Sequence, residues 1–146
     1  MLIFALIVAL LFVSSLAFYA GTLLFKLQAQ NKARQANINK RVTNITESIQ
    51  TIAKGVEQQQ CNLSEASIRI YHLLEGLPVL NKPDFAKQYP AMFELYEAVK
   101  DLPTHQERNK QPKMETRKQD IKRESLESTL ESRILAEMEK LAHFSI

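Results

Sequence analysis

His105 and Glu107 stand two residues apart in Thr104-His105-Gln106-Glu107. This is the His-x-Glu spacing with which zinc deaminases put a metal ligand beside a general acid and base. Such a site also needs a pair of cysteines, and Cys61 is the only cysteine in the chain. The remaining imidazoles, His72 and His143, are scattered singly, whereas metal ligands recur in pairs at short spacing. No phosphate-cradling glycine loop and no Gly-x-Ser-x-Gly elbow can be built from Gly21, Gly55 and Gly76. The sequence therefore assigns no catalytic, cofactor-binding or metal-ligating residue, and it points away from an enzyme.

Binding chemistry has two candidates. Arg108, Lys110, Lys113, Arg117, Lys118, Lys122 and Arg123 form a basic run, but Asp120 and Glu124 interleave with it and no aromatic residue is present for base stacking. A solvated helix face is the expectation there, with acidic lipid an open alternative and nucleic acid an unlikely partner. The second candidate is a recognition surface formed by Glu65, Arg69, His105, Glu107 and Arg108, polar groups beside well-punctuated turns, where function commonly sits. Against it stands the plainer reading that Arg69 pairs with Glu65 one helical turn away while His105 fills a first turn.

The elements that carry these residues begin with Met1–Phe25, which holds no charged side chain. At about 1.5 Å per residue, such a helix crosses a hydrocarbon core of about 30 Å with room to tilt. A cleaved secretory signal would want a basic start and a shorter apolar stretch. Here nothing basic precedes the run, and apolar residues continue beyond the passable cleavage tripeptide Ser15-Leu16-Ala17. An uncleaved anchor is expected.

Lys26, Lys32, Arg34, Lys40 and Arg41 follow the anchor, with no acid before Glu47. Basic residues flanking a span stay on the cytoplasmic side, which predicts a translocated amino terminus and a cytoplasmic body. The same five residues are candidate contacts to anionic lipid. Net charge alternates in blocks: +5 over 26–46, −4 over 47–107, +5 over 108–123 and −3 over 124–146.

The rest reads as helix throughout. Ile38, Val42, Ile45, Ile49, Ile52 and Val56 recur at four- and three-residue steps, a heptad seam on a juxtamembrane amphipathic helix spanning 26–60. Arg41, Thr46, Ser48, Ala53 and Gly55 flank the seam without offering opposite charges. Packing against later helices is expected over a homo-oligomeric coiled coil, which stays open. Asn62 and Glu65 resemble a capping box and Gly76 with Pro78 a stop, bounding a helix at Leu63–Glu75. Pro83 and Pro90 suit first turns of a short segment to Gln88 and a helix to Lys100. Phe85, Tyr89, Met92, Phe93 and Tyr96 make an aromatic stripe of the kind found in cores. Thr104 caps another start with Glu107 at the third position, and Pro112 interrupts that helix or begins the last. Leu126, Leu130, Ile134, Met138 and Leu141 mark the buried face of that final helix, which should pair antiparallel with the seam.

The predicted architecture is thus all-α: a single transmembrane helix at 1–25, the juxtamembrane helix at 26–60, and a helical body at 61–146 forming one small bundle with 38–60. Its long first and last helices dominate it. The implied partners are the bilayer and another protein, and no cofactor is called for.

Three stretches carry a family resemblance: Leu16-Ala17-Phe18-Tyr19-Ala20-Gly21, Cys61-Asn62-Leu63-Ser64-Glu65-Ala66-Ser67-Ile68-Arg69-Ile70, and Leu102-Pro103-Thr104-His105. The layout resembles the bacterial family called domain of unknown function 2489 (DUF2489) over most of the chain. That resemblance implies a single-span inner-membrane protein of gram-negative bacteria and supplies no activity, cofactor or catalytic residue. On these readings the chain is an interaction or scaffold module held at the inner membrane. An exported or periplasm-facing helical protein and a membrane-tethered nucleic-acid binder are the alternatives.

Overall fold

The structure is a computed structural model that describes residues 1–103, 108 and 110–146, with the side chains of Leu2 and Ala5 left aside. The predicted cap at Thr104 and the candidates His105 and Glu107 lie outside the described residues. Among those described, regular structure is helical throughout: α1 (Leu2–Glu57), α2 (Leu63–Glu75), α3 (Phe85–Gln88), α4 (Pro90–Val99) and α5 (Lys113–Leu141). The chain divides into two compact units, Met1–Lys40 and Arg41–Ile146.

The first unit is a single stretch of α1, and its large apolar side chains are exposed. From Ile3 to Leu27 those described are all at least half exposed, with Phe4, Phe18 and Phe25 at 73%, 76% and 74%. By length and composition this is the one helix among the described residues able to cross a membrane, its most apolar 18-residue window having a mean hydropathy of 2.2.

The second unit is a bundle with one core. α1 contributes Ile49, Ala53 and Val56, and α2 adds Ala66, Ile70 and Leu74. Met92 and Leu95 of α4 meet Leu130, Ile134, Met138 and Leu141 of α5. The heptad seam is therefore used inside the chain, although not as a strict two-position stripe. Ala53, expected to flank the seam, is fully buried, whereas Val42, Ile45 and Ile52 are half-buried and Ile38 is also half-buried. A wider contact strip suits a globular bundle, where a helix meets several neighbours. The antiparallel sense of α1 and α5 is visible at two levels. Gln50 Nε2 donates to the Phe144 carbonyl at 2.8 Å, while Val56 lines a cleft with Glu131 and Leu135.

Local chemistry explains the boundaries. α1 stops at Glu57, three residues before the expected Gln60, because Gln59 adopts a left-handed φ of 58°. The Gln60 and Gln59 amides then donate to the Gly55 and Val56 carbonyls at 2.8 and 2.9 Å, closing the end as a Schellman motif built without glycine. α2 has the predicted limits. Asn62 Oδ1 accepts from the Ser64 amide at 2.9 Å. Gly76 ends the helix at φ −76°, so its role is space: a side chain there would come within 3.1 Å of the His72 carbonyl.

At α4 the cap comes from elsewhere. Tyr89 sits at the N-cap with no side-chain hydrogen bond, and Pro90 has no amide to satisfy. The next two amides, of Ala91 and Met92, donate to Glu137 Oε1 and Oε2 of α5 at 2.9 and 2.8 Å. The Phe93 amide reaches the Tyr89 carbonyl at 3.1 Å, which accounts for every orphan donor of that first turn. Glu137 is buried, 7% exposed, among the apolar residues of α5. Its charge and, above all, burial push the Tyr89 hydroxyl above its usual 10.0.

Candidate recognition surface

Asn62 turns the chain into α2, setting Ser64, Glu65 and Arg69 on its first two turns. The reciprocal half of the expected capping box is not made. Glu65 points forward instead, and its Oε1 lies 2.6 Å from Arg69 Nη2 across one helical turn. Both side chains are more than half exposed, so this pair contributes about 0.3–0.5 kcal/mol. The plainer of the two sequence readings of Arg69 is thus present in the structure.

Arg108 is positioned by α5. Its Nη2 donates to both oxygens of Asp120 at 2.9 and 2.6 Å. Arg123, one turn further along α5, stands 3.7 Å from Asp120 and 3.9 Å from Glu127. Glu127 in turn accepts the hydroxyl hydrogen of Ser64 on α2. The result is a run of alternating charges, Arg108, Asp120, Arg123 and Glu127, ending on the first turn of α2. This network ties Arg108 to α5 and α5 to the start of α2.

Glu65, Arg69 and Arg108 consequently line one groove of about 400 Å³, floored by Ile68, Val99 and Leu102. Arg123, a member of the basic run for which a solvated face is expected and lipid or nucleic acid are the alternatives, lines it as well. The sequence signal for Arg123 was present but diffuse, one cation among seven; Asp120 singles it out and lies three residues away. Nearby, Tyr71 and Tyr96 stack with ring centroids 3.6 Å apart, and Phe93 meets Tyr71 edge-on at 5.3 Å. Burial raises the Tyr96 hydroxyl above its usual value, with Tyr71 adding to the effect.

The candidate lipid contacts Lys26, Lys32, Arg34, Lys40 and Arg41 are all exposed and enter no ion pair among the described residues. His72 is exposed against Tyr71, and Cys61 is half-buried at the head of α2. No three histidine, cysteine or carboxylate side chains converge as metal ligands would among the described residues.

A comparison with known families finds one described as Protein of unknown function (DUF2489), matching residues 13–141. The chain belongs to this family. A relative in Haemophilus influenzae, named only as an uncharacterized protein, is 38% identical over 135 residues, covering 90% of this chain and 87% of its own. No solved structure matches. The family resemblance carried by the three sequence stretches is thereby established. The DUF2489 match runs from within the apolar part of α1 to the last residue of α5, so anchor-like helix and bundle belong to one pattern.

Proposed function

We propose that this DUF2489 protein is a single-pass protein of the bacterial inner membrane whose cytoplasmic bundle is a non-catalytic interaction module. The observation that carries the reading is the apolar half of α1, whose large apolar side chains described from Ile3 to Leu27 are at least half exposed. Burying one such side chain is worth about 1.5–3 kcal/mol, so a run of them left in water is untenable and a bilayer meets the need. Support for an uncleaved anchor comes from the family match, which begins at residue 13 and so includes residues that cleavage after Ala17 would remove. The five unpaired cations after the apolar run favour a cytoplasmic body with anionic lipid beside it. The groove edged by Glu65, Arg69 and Arg108 is the surface on which a protein partner docks.

The test uses Cys61 as a topology probe, because it lies in the bundle and is the only thiol. A membrane-impermeant maleimide should label it in permeabilised cells and not in intact ones, with a denatured control allowing for its half-burial. Labelling in intact cells would reverse the orientation, and release of the protein by alkaline carbonate would remove the anchor. For the groove, Arg69→Glu should abolish a site-specific photocrosslink to the partner without changing helicity; an unchanged crosslink pattern would reject that surface.

A further inference from the structure

On the other side of Leu102 and Arg123 lies a second cavity, between the end of α4 and the first turns of α5. Its volume is about 300 Å³, at the lower end of what small-molecule sites enclose. Val99, Leu102 and Leu126 make its floor, and the two leucines are only half-buried although they pack against the core. Exposed apolar surface inside a concavity is surface that a ligand can still remove from water.

The rim is cationic. Lys118, Lys122 and Arg123 face one carboxylate, Glu115. Lys118 and Lys122 form no ion pair among the described residues. Arg123 is nearer to acids, yet its contacts at 3.7 and 3.9 Å are longer than hydrogen bonds. Its Nε is buried and has no hydrogen-bond partner. That atom is closed to solvent, so the donors the cavity offers a ligand are the exposed ammonium groups of Lys118 and Lys122.

The geometry points to a binding site for a small organic acid, an apolar body in contact with Val99, Leu102 and Leu126 and a single carboxylate held by Lys118 and Lys122. A carboxylate accepts from both lysines at once, and Arg123, which lines the same wall, adds positive charge. The apolar floor adds selectivity, because a small hydrophilic acid would leave it wet. This site shares Val99, Leu102 and Arg123 with the partner-docking groove, and it is tested at Ala98, Lys118 and Lys122, which do not line that groove.

Equilibrium dialysis of the full chain in nanodiscs of phosphatidylcholine, with empty nanodiscs as reference, measures binding of radiolabelled 4-phenylbutyrate. Saturable binding above the reference is expected, without competition from the neutral 4-phenylbutan-1-ol. The double variant Lys118→Gln, Lys122→Gln should weaken binding by about tenfold while leaving the helical signal unchanged, since both side chains are exposed. Ala98→Trp, which projects a large side chain from an exposed lining position, should abolish it. Absence of saturable binding would overturn the assignment. Binding that persists in Ala98→Trp would overturn its location, and equal competition by the alcohol would overturn the role of the cations.

Discussion

Glu137 is the side chain on which the bundle depends out of proportion to its size. It is a buried carboxylate whose two oxygens each take one backbone amide at the start of α4, at 2.9 and 2.8 Å. Ala91 and Met92, which supply those amides, are fully buried, so water cannot replace the acceptor. A hydrogen bond to a charged group contributes about 1.5–3 kcal/mol, and a negative charge at a helix start adds up to about 1–2 kcal/mol through the macrodipole. The desolvation of the carboxylate opposes both. Glu137→Ala removes the charge itself and leaves two buried N–H groups without an acceptor, at about 1–3 kcal/mol each, so its expected cost is about 2–6 kcal/mol. Glu137→Gln keeps one acceptor but turns an amide NH₂ toward the second N–H, so its expected cost is about 1.5–3 kcal/mol. Chemical denaturation of the full chain in detergent, followed by the helical signal, measures both. A Gln variant within about 0.5 kcal/mol of the parent would refute the argument, because it would mean the amides are satisfied in some other way.

Three further outcomes follow from the same structure. Gln59→Gly should stabilise the bundle by about 0.5–1 kcal/mol, since a left-handed φ of 58° strains any residue with a side chain; calorimetry showing no gain would contradict this. Asp120→Asn should cost about 1 kcal/mol, discounted for partial exposure, and raise amide hydrogen exchange at Gln111, whose N–H bonds the Arg108 carbonyl at 3.3 Å. Finally, burial holds the Tyr89 hydroxyl above 10.0, so the folded state favours its neutral form; the contribution is complete below that pH and is lost as pH rises through the folded value. Stability should therefore fall as pH rises above about 10, and Tyr89→Phe should flatten the fall when both are followed by denaturant titration.

What could be read from the sequence was whatever depends on near neighbours. Asn62 and Gly76 bracket α2 at the positions where capping and steric rules put them, and the three-and-four spacing of Leu130, Ile134, Met138 and Leu141 marks the buried side of α5. The pair Glu65 and Arg69 is likewise a local spacing. Features that rest on distant chain segments were not visible. Glu137 looks like any surface acid on a charged helix until α4 is laid against it, 45 and 46 residues away in sequence. Gln59 carries no sign of its conformation because glycine is the usual signal, and Ala53 is too small to stand out from a polar flank. Within the candidate groove, Arg108 was identifiable as a polar group near a turn, but its partner Asp120 lies across the connection into α5. The convergence with Arg123 needed the fold.

The cap on α4 also fixes an order of events. A chain made from its amino end exposes α1, α2 and α4 before α5 has been synthesised. During that interval the first turn of α4 has no acceptor for two of its amides, and Ile49, Ala53 and Val56 have no α5 to lie against. α5 thus acts as a keystone, and until it is made the earlier helices lack the contacts it supplies. On the membrane reading, α1 is already in the bilayer by then, so neighbouring nascent chains meet in two dimensions with their cores still open. A slow stretch of translation before Lys113 would lengthen that exposure, and hasty assembly between chains would be its penalty.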